Sequence, residues 1–544
     1  MTTLWEEFAA NAARHPDKVA IVSHRVANGE KVVVTYGELA KLAERFAAAL
    51  VELGVEPGEV VSFQLPNWWE VAALHLGCVR IGAVANPIIT ILRAREVGFI
   101  LGRARSRVCV VPSEFRGFDH AAMLDELRAE LPALEHVFVC GAGFESYFCD
   151  TTWEDKHPAA ELDARRPAPG DPAQLMFTSG TTGEPKGVVH SHDTMDVGLR
   201  AVSEPLGLGG DDVVLMFSPL GHQTGYLYGM CMPLKYGMKL VLQDAWDPAT
   251  MLRLVSEERV TWTMGSTTFV LDACAAAASH PAADLSSLRY FTCGGAPIPP
   301  KAVTEARARL GTQLVAVWGM TEVGVCTITR PPGGRGVSAR QGRREPPEAD
   351  PDETVCSSDG APVDWAELRI VDANGADVAP GGEGRLLVRT PSQHLTYHGR
   401  PDLYAAGFPD GVWAGWFDTG DLAREVPGGS GAIRITGRSK DLIIRGGENI
   451  PATEVEAGLI THPLVHEVAV VACPDDRLGE KVCAVVVPAG DEAPTLDGLR
   501  SHLEGLRMAK PFWPERLVIK ETLPKTASGK TQKFALREEL KSRR

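Results

Sequence analysis

DVVLMFSPLGHQTGYLYGMCMPLKYGMKLVLQ, residues 212–243, is the stretch whose reading decides the fold. A short apolar run (212–218) precedes a longer helix-compatible stretch from His222, and MKLVLQ is a second short apolar run. Runs of this length without alternation suit strands buried on both faces, which in turn require helical crossovers. The pattern continues in both directions. Upstream, EVVSFQL (59–65) precedes the helical WWEVAALHLGCVRIG. Downstream come a helix near 249–258, the strand TWTMG, a helix at 267–278, the strand YFTCGG, a helix at 299–310 and the strand QLVAVWG. Strand and helix in alternation predict an α/β fold of layered subdomains. Ligands in such folds collect beyond the C-terminal ends of strands. There the chain places Ser218–His222, Gly265–Ser266, Gly294–Pro297 and Gly319–Glu322.

A second stretch, TSGTTGEPKG (178–187), sets three Gly among four hydroxyls and one Lys between apolar runs. Such a loop offers backbone N–H groups to an anion, with Lys186 adding positive charge, and suits a polyphosphate. Taken alone it reads equally well as a polar hairpin connection. It is not a P-loop, and G-x-G-x-x-G, H-E-x-x-H, G-x-S-x-G and C-x-x-C are all missing. His462 and His466 have helical spacing but no third ligand, and read as surface residues.

The 544 residues carry a net charge of −15, which argues against a nucleic-acid partner. Positive charge concentrates in 501–544, where eleven Lys or Arg stand against five Asp or Glu. Eleven Cys at irregular spacing suggest reduced thiols and a cytoplasmic address. The N-terminus is acidic where a signal peptide is apolar, and Thr3 with Glu6 predicts a capping box. No run is long and apolar enough for a transmembrane helix. Residues 331–360 read as an exposed connection, 362–436 as short strands with Gly-rich turns, and the chain beyond Lys440 as a small α+β module.

Five motifs then follow in order: the 178–187 loop, VWGMTE (317–322), WFDTGD (416–421), GRSKDLIIRGGENIPATEVE (437–456) and LPKTASGK (523–530). Together they resemble the adenylate-forming superfamily of acyl-CoA synthetases, luciferases and peptide-synthetase adenylation domains. The resemblance implies an adenylation domain over 1–438 and a mobile C-terminal domain over 439–544. It implies ATP, Mg²⁺ and coenzyme A as reactants. Acid and ATP would give acyl-AMP and pyrophosphate, and a thiol would then displace AMP.

The same likeness assigns residues. Thr178, Ser179, Gly180, Thr181, Thr182, Gly183 and Lys186 would cradle the phosphates. Trp318 would stack on adenine, beside Gly319, with Gly294, Gly295, Ala296 and Pro297 lining the cleft. Thr321 would meet the α-phosphate and Glu322 would hold Mg²⁺. Asp421, with Arg438, would accept from the ribose. Lys530 would steady the attacking carboxylate against an anionic triphosphate. Lys440 would be the hinge, and Arg445, Gly446 and Gly447 would line the CoA tunnel.

PLGHQTGYLYG (219–229) follows the strand expected to border the acid, with no acidic residue between Asp212 and Asp244. His222, Gly225, Tyr226, Gly229, Met264, Gly294 and Val323 form the expected acyl pocket. Small or apolar walls point to an apolar short- or medium-chain, or alicyclic, carboxylic acid, since an unpaired second charge would be costly to bury. Aryl-acid adenylation, with His222 and Gln223 at the ring, is the alternative. A catalytically silent nucleotide-binding regulator is the alternative of another class. The expected partners are small molecules, with the chain as a monomer or homodimer.

Overall fold

A computed structural model describes residues 2–178, 185–295, 298–331, 350–408, 414–428, 430–438, 441–445, 448–475, 479–506, 508, 510–525 and 530–542. Its centre is the segment that begins the sequence argument. Strand Val213–Met216 pairs parallel with Lys239–Gln243 on one side and with Trp262–Gly265 on the other. Tyr290–Gly294 and Gln313–Met320 extend the parallel series. Their side chains are buried in near-continuous runs, as strands covered on both faces require. Antiparallel strands Gly324–Ile328 and Ala361–Pro362 close one edge. Val19–His24 and Lys31–Thr35 close the other, giving nine strands.

The helix between the first two of these strands departs from the expected form. It begins at Thr224 and runs as a π-helix to Cys231 before continuing as Met232–Tyr236. Widened turns of this kind recur where a helix is adjusted to a site.

A second sheet of seven strands has a parallel centre built from Val60–Phe63, Val84–Pro87, Val108–Pro112 and His136–Cys140. Pro172–Thr178 joins it in parallel and returns through Lys186–Ser191 as an antiparallel hairpin, Thr178 opposite Lys186. The two strands that flank the Gly-rich stretch therefore form a hairpin. Thr396–Tyr397 adds the last strand. A four-stranded antiparallel sheet (Glu367–Val371, Glu383–Arg389, Phe417–Glu425, Ile433–Arg438) follows. A separate five-stranded sheet begins at Leu442, packed by helices Ala452–Leu459, Leu496–Gly505 and Lys533–Ser542.

Local signals hold at the first helix, Leu4–Arg14. Thr3 Oγ1 accepts from Glu6 N at 3.3 Å, and the Glu6 carboxylate accepts from Thr3 N at 2.8 Å. Leu442–Arg445 and Glu448–Pro451 are two strands paired antiparallel. Two expectations are corrected. His462 lies beyond the end of a helix and His466 in strand Val465–Asp475, so their spacing is not helical; His462 instead packs on His502 at 5.0 Å. Pro351–Ser357 is a helix inside the region expected as a connection, pinned where the Arg307 guanidinium forks onto Asp352. Asp350, whose side chain accepts from Asp352 N, caps its start, and Pro351 stands at its first position.

Candidate active site

The parallel strands end side by side at Gly294 and Val317, whose backbones approach so closely that a Cβ on Gly294 would meet Val317 O at 2.7 Å. Only glycine permits that contact. Gly295 turns the chain with φ +80°, and a Cβ there would meet Lys530 Cε at 3.1 Å. The lysine of the last motif is thus laid over the end of strand Tyr290–Gly294. His222 stands two residues before the π-helical segment. Its Nδ1 accepts from Thr224 N at 3.3 Å, which leaves the proton of the neutral ring on Nε2. Burial, and then the Lys530 ammonium, lower its pKa to about 4.

Trp318 and Asp421 come together from 103 residues apart. The indole Nε1–H donates to Asp421 Oδ2 at 2.9 Å, and both side chains are buried. Asp421 N in turn donates to Thr419 Oγ1 at 3.0 Å. Arg438 faces Asp421 in the strand register, while its side chain lies outside the described structure. Gly319 allows the sharp return to Gly324, whose carbonyl a Cβ would meet at 2.2 Å.

The return segment Thr321–Val323 is held by three successive carbonyls. His190 Nε2 donates to Thr321 O at 2.7 Å, His394 N to Glu322 O at 2.8 Å, and Ser392 Oγ to Val323 O at 2.6 Å. Burial keeps His190 neutral, with a pKa near 4. Burial and then His190 lower His394 to about 3. The Glu322 carboxylate is buried and accepts from the Tyr397 hydroxyl at 2.9 Å. Lys186 stands above the Tyr397 ring, Nζ 4.8 Å from its centroid. Tyr397, His394, Ser392 and His190 were not anticipated. Each belongs to a stretch whose local pattern shows only a strand or a turn, and no nearby residue signals the partner.

Of the acyl-pocket residues, Met264 and Val323 are buried beside the strand ends, with Ser218 Oγ donating to Met264 O at 3.3 Å. Three others are corrected. A Cβ on Gly225 would meet Pro219 O at 2.3 Å, and one on Gly229 would meet Met216 Cγ at 2.3 Å. Gly225 lets the helix pack on the turn that follows strand Val213–Met216, and Gly229 lets it pack on Met216 of that strand. Tyr226 is fully buried, its hydroxyl 2.5 Å from His75 Nδ1, and so belongs to the core. Arg445, expected at the CoA tunnel, is bidentate to Glu515 at 2.9 Å on both arms. Ser179, Gly180, Thr181, Thr182, Gly183, Ala296, Pro297, Lys440, Gly446 and Gly447 lie outside the described residues.

Mg²⁺ prefers hard oxygen donors. Glu322 offers a buried carboxylate with one oxygen held by a neutral hydroxyl, a hard oxygen donor that fits such an ion.

Comparison with known proteins agrees with this arrangement. Residues 8–398 match the AMP-binding enzyme family, and 454–530 match the AMP-binding enzyme C-terminal domain. The medium-chain fatty-acid–CoA ligase of Escherichia coli (strain K12) is 34% identical over 99% of this chain and 90% of that protein. A salicylyl-CoA synthase / salicylate adenylyltransferase from Streptomyces sp is 34% identical over 93% of this chain and 89% of that protein. Among solved structures, the anthranilate CoA ligase AuaEII in complex with anthranoyl-AMP superposes with a TM-score of 0.82 at 26% identity, covering 99% of this chain and 97% of that one. With both family matches on one chain and relatives alike over its whole length, this protein belongs to the AMP-binding enzyme family, as an AMP-forming acid–CoA ligase that uses ATP, Mg²⁺ and CoA.

Proposed function

We propose that the protein joins an uncharged, apolar carboxylic acid of short to medium length, or a compact alicyclic acid, to CoA through acyl-AMP. The observation that carries this reading is the placement of Lys530 against Gly295 at the end of strand Tyr290–Gly294, where a Cβ on the glycine would meet Lys530 Cε at 3.1 Å. Lys530 supplies charge for the substrate carboxylate. The remaining described walls, Gly294, Met264 and Val323, are small or apolar and give no charge to a second ionic group. Each methylene buried there adds about 0.8 kcal/mol, so preference climbs with chain length until the floor is reached.

The other roles follow the chemistry of the contacts. Asp421, oriented by Trp318, accepts from the ribose; Glu322 holds Mg²⁺; Thr178, Lys186 and Thr321 face the phosphates. The C-terminal unit, 439–544, turns about Lys440 between half-reactions and withdraws Lys530 from the cleft. The free cysteines, most of them buried, support a reducing, cytoplasmic setting.

An aryl acid is the second reading, favoured by the salicylate- and anthranilate-named relatives and by the neutral imidazole at the cleft. Pyrophosphate release across linear C2–C12 acids, cyclohexanecarboxylate, benzoate and hydroxybenzoates decides between them. Strong selectivity for a hydroxybenzoate would overturn the apolar reading.

A further inference from the structure

Tyr397 touches both halves of the phosphate side of the site. Its hydroxyl donates to Glu322 Oε1 at 2.9 Å, and its ring lies under Lys186 Nζ at 4.8 Å. The backbone around it is bonded in the same two directions. His394 N donates to Glu322 O at 2.8 Å, while Leu395 N donates to Val189 O at 2.8 Å and His398 N to Gly187 O at 2.7 Å. Thr396–Tyr397 is thereby a strand of the hairpin that carries the Gly-rich loop. Tyr397 is 3% exposed, so its hydroxyl has little water to turn to. An ionised carboxylate only accepts, so the phenol must be the donor.

We propose that Tyr397 is a positioning residue that fixes the orientation of the Glu322 carboxylate and ties it to Lys186, at the start of strand Lys186–Ser191. This rests on reading Glu322 as the Mg²⁺ ligand. A carboxylate free to rotate must be ordered when the metal–nucleotide binds; one already held by a buried phenol is ordered beforehand. Charge-assisted hydrogen bonds are the strong ones, so the loss is measurable.

The test uses the full chain, with Mn²⁺ and a non-hydrolysable ATP analogue as probe, followed by electron paramagnetic resonance. Tyr397→Phe removes only the hydroxyl and is expected to weaken Mn²⁺ binding about tenfold, a typical hydrogen-bond effect on a charged acceptor. The Mg²⁺ concentration for half-maximal adenylation should rise in step. CoA transfer from supplied acyl-AMP should change less than about twofold, because that step no longer needs the triphosphate. In the Glu322→Gln background the same tyrosine change should add almost nothing, since residues acting as a unit are non-additive. A further tenfold loss in that background would mean that Tyr397 acts independently, and overturns the proposal. Weakened Mn²⁺ binding in Glu322→Gln with normal binding in Tyr397→Phe overturns the proposal alone. Normal binding in Glu322→Gln removes the metal assignment and the proposal together.

Discussion

Trp318→Phe isolates one hydrogen bond at the nucleotide site while keeping an aromatic face for the adenine. The bond runs from the indole Nε1–H to Asp421 Oδ2 at 2.9 Å, between side chains exposed by only 7% and 5%. Hydrogen bonds to charged groups contribute about 1.5–3 kcal/mol net. The variant should therefore lose about 1.5–3 kcal/mol of unfolding free energy without nucleotide. Urea unfolding followed by tryptophan fluorescence and circular dichroism reads this as a lower midpoint at unchanged slope. Because Asp421 is also read as the ribose acceptor, KM for ATP should rise, and the preference for ATP over 2′-deoxyATP should narrow. A midpoint equal to wild type within about 0.5 kcal/mol would show that the Trp318–Asp421 bond carries no net stabilisation. Unchanged discrimination against 2′-deoxyATP would separate Trp318 from ribose recognition.

Other outcomes follow from single contacts. Lys530→Ala should abolish acyl-AMP formation and spare thioester formation from supplied acyl-AMP; equal loss in both half-reactions refutes a two-conformation scheme. Lys440→Pro should show the reverse, since proline fixes φ where the units turn, and full overall turnover would place the hinge elsewhere. Gly229→Leu should lower the denaturation midpoint by more than about 1–3 kcal/mol through overpacking onto Met216, and should not simply shorten the preferred acid; a stable variant with altered chain-length profile would restore Gly229 to the pocket. His75, His190, His192, His222 and His394 are held well below the usual histidine pKa by burial, at about 3 to 4. The unfolded chain then binds more protons than the folded one between pH 6.5 and 4, so stability should fall as pH drops through that window, and a flat midpoint from pH 7.5 to 5 would contradict their burial as neutral rings.

Much of the architecture is legible in order along the chain. The alternation around 212–319 is a local property, because a short buried strand and the helix after it each declare themselves within about ten residues. The motifs, likewise, are contiguous, so the family resemblance that singles out the phosphate loop, Glu322, Asp421 and Lys530 is carried by short stretches. What folding decided is who meets whom. Trp318 reaches Asp421 across 103 positions and Tyr397 reaches Glu322 across 75, through sheet pairings that no periodicity encodes. The same holds for Gly225 and Gly229, which look like open pocket in the sequence because a glycine shows only that space is needed. Whether ligand or protein fills that space depends on backbones packed from elsewhere, and here Pro219 O and Met216 fill it. Local propensity is set by each residue's own neighbours, whereas a buried hydrogen bond or a filled gap is set by distant segments brought to a few ångströms of each other by the shared core.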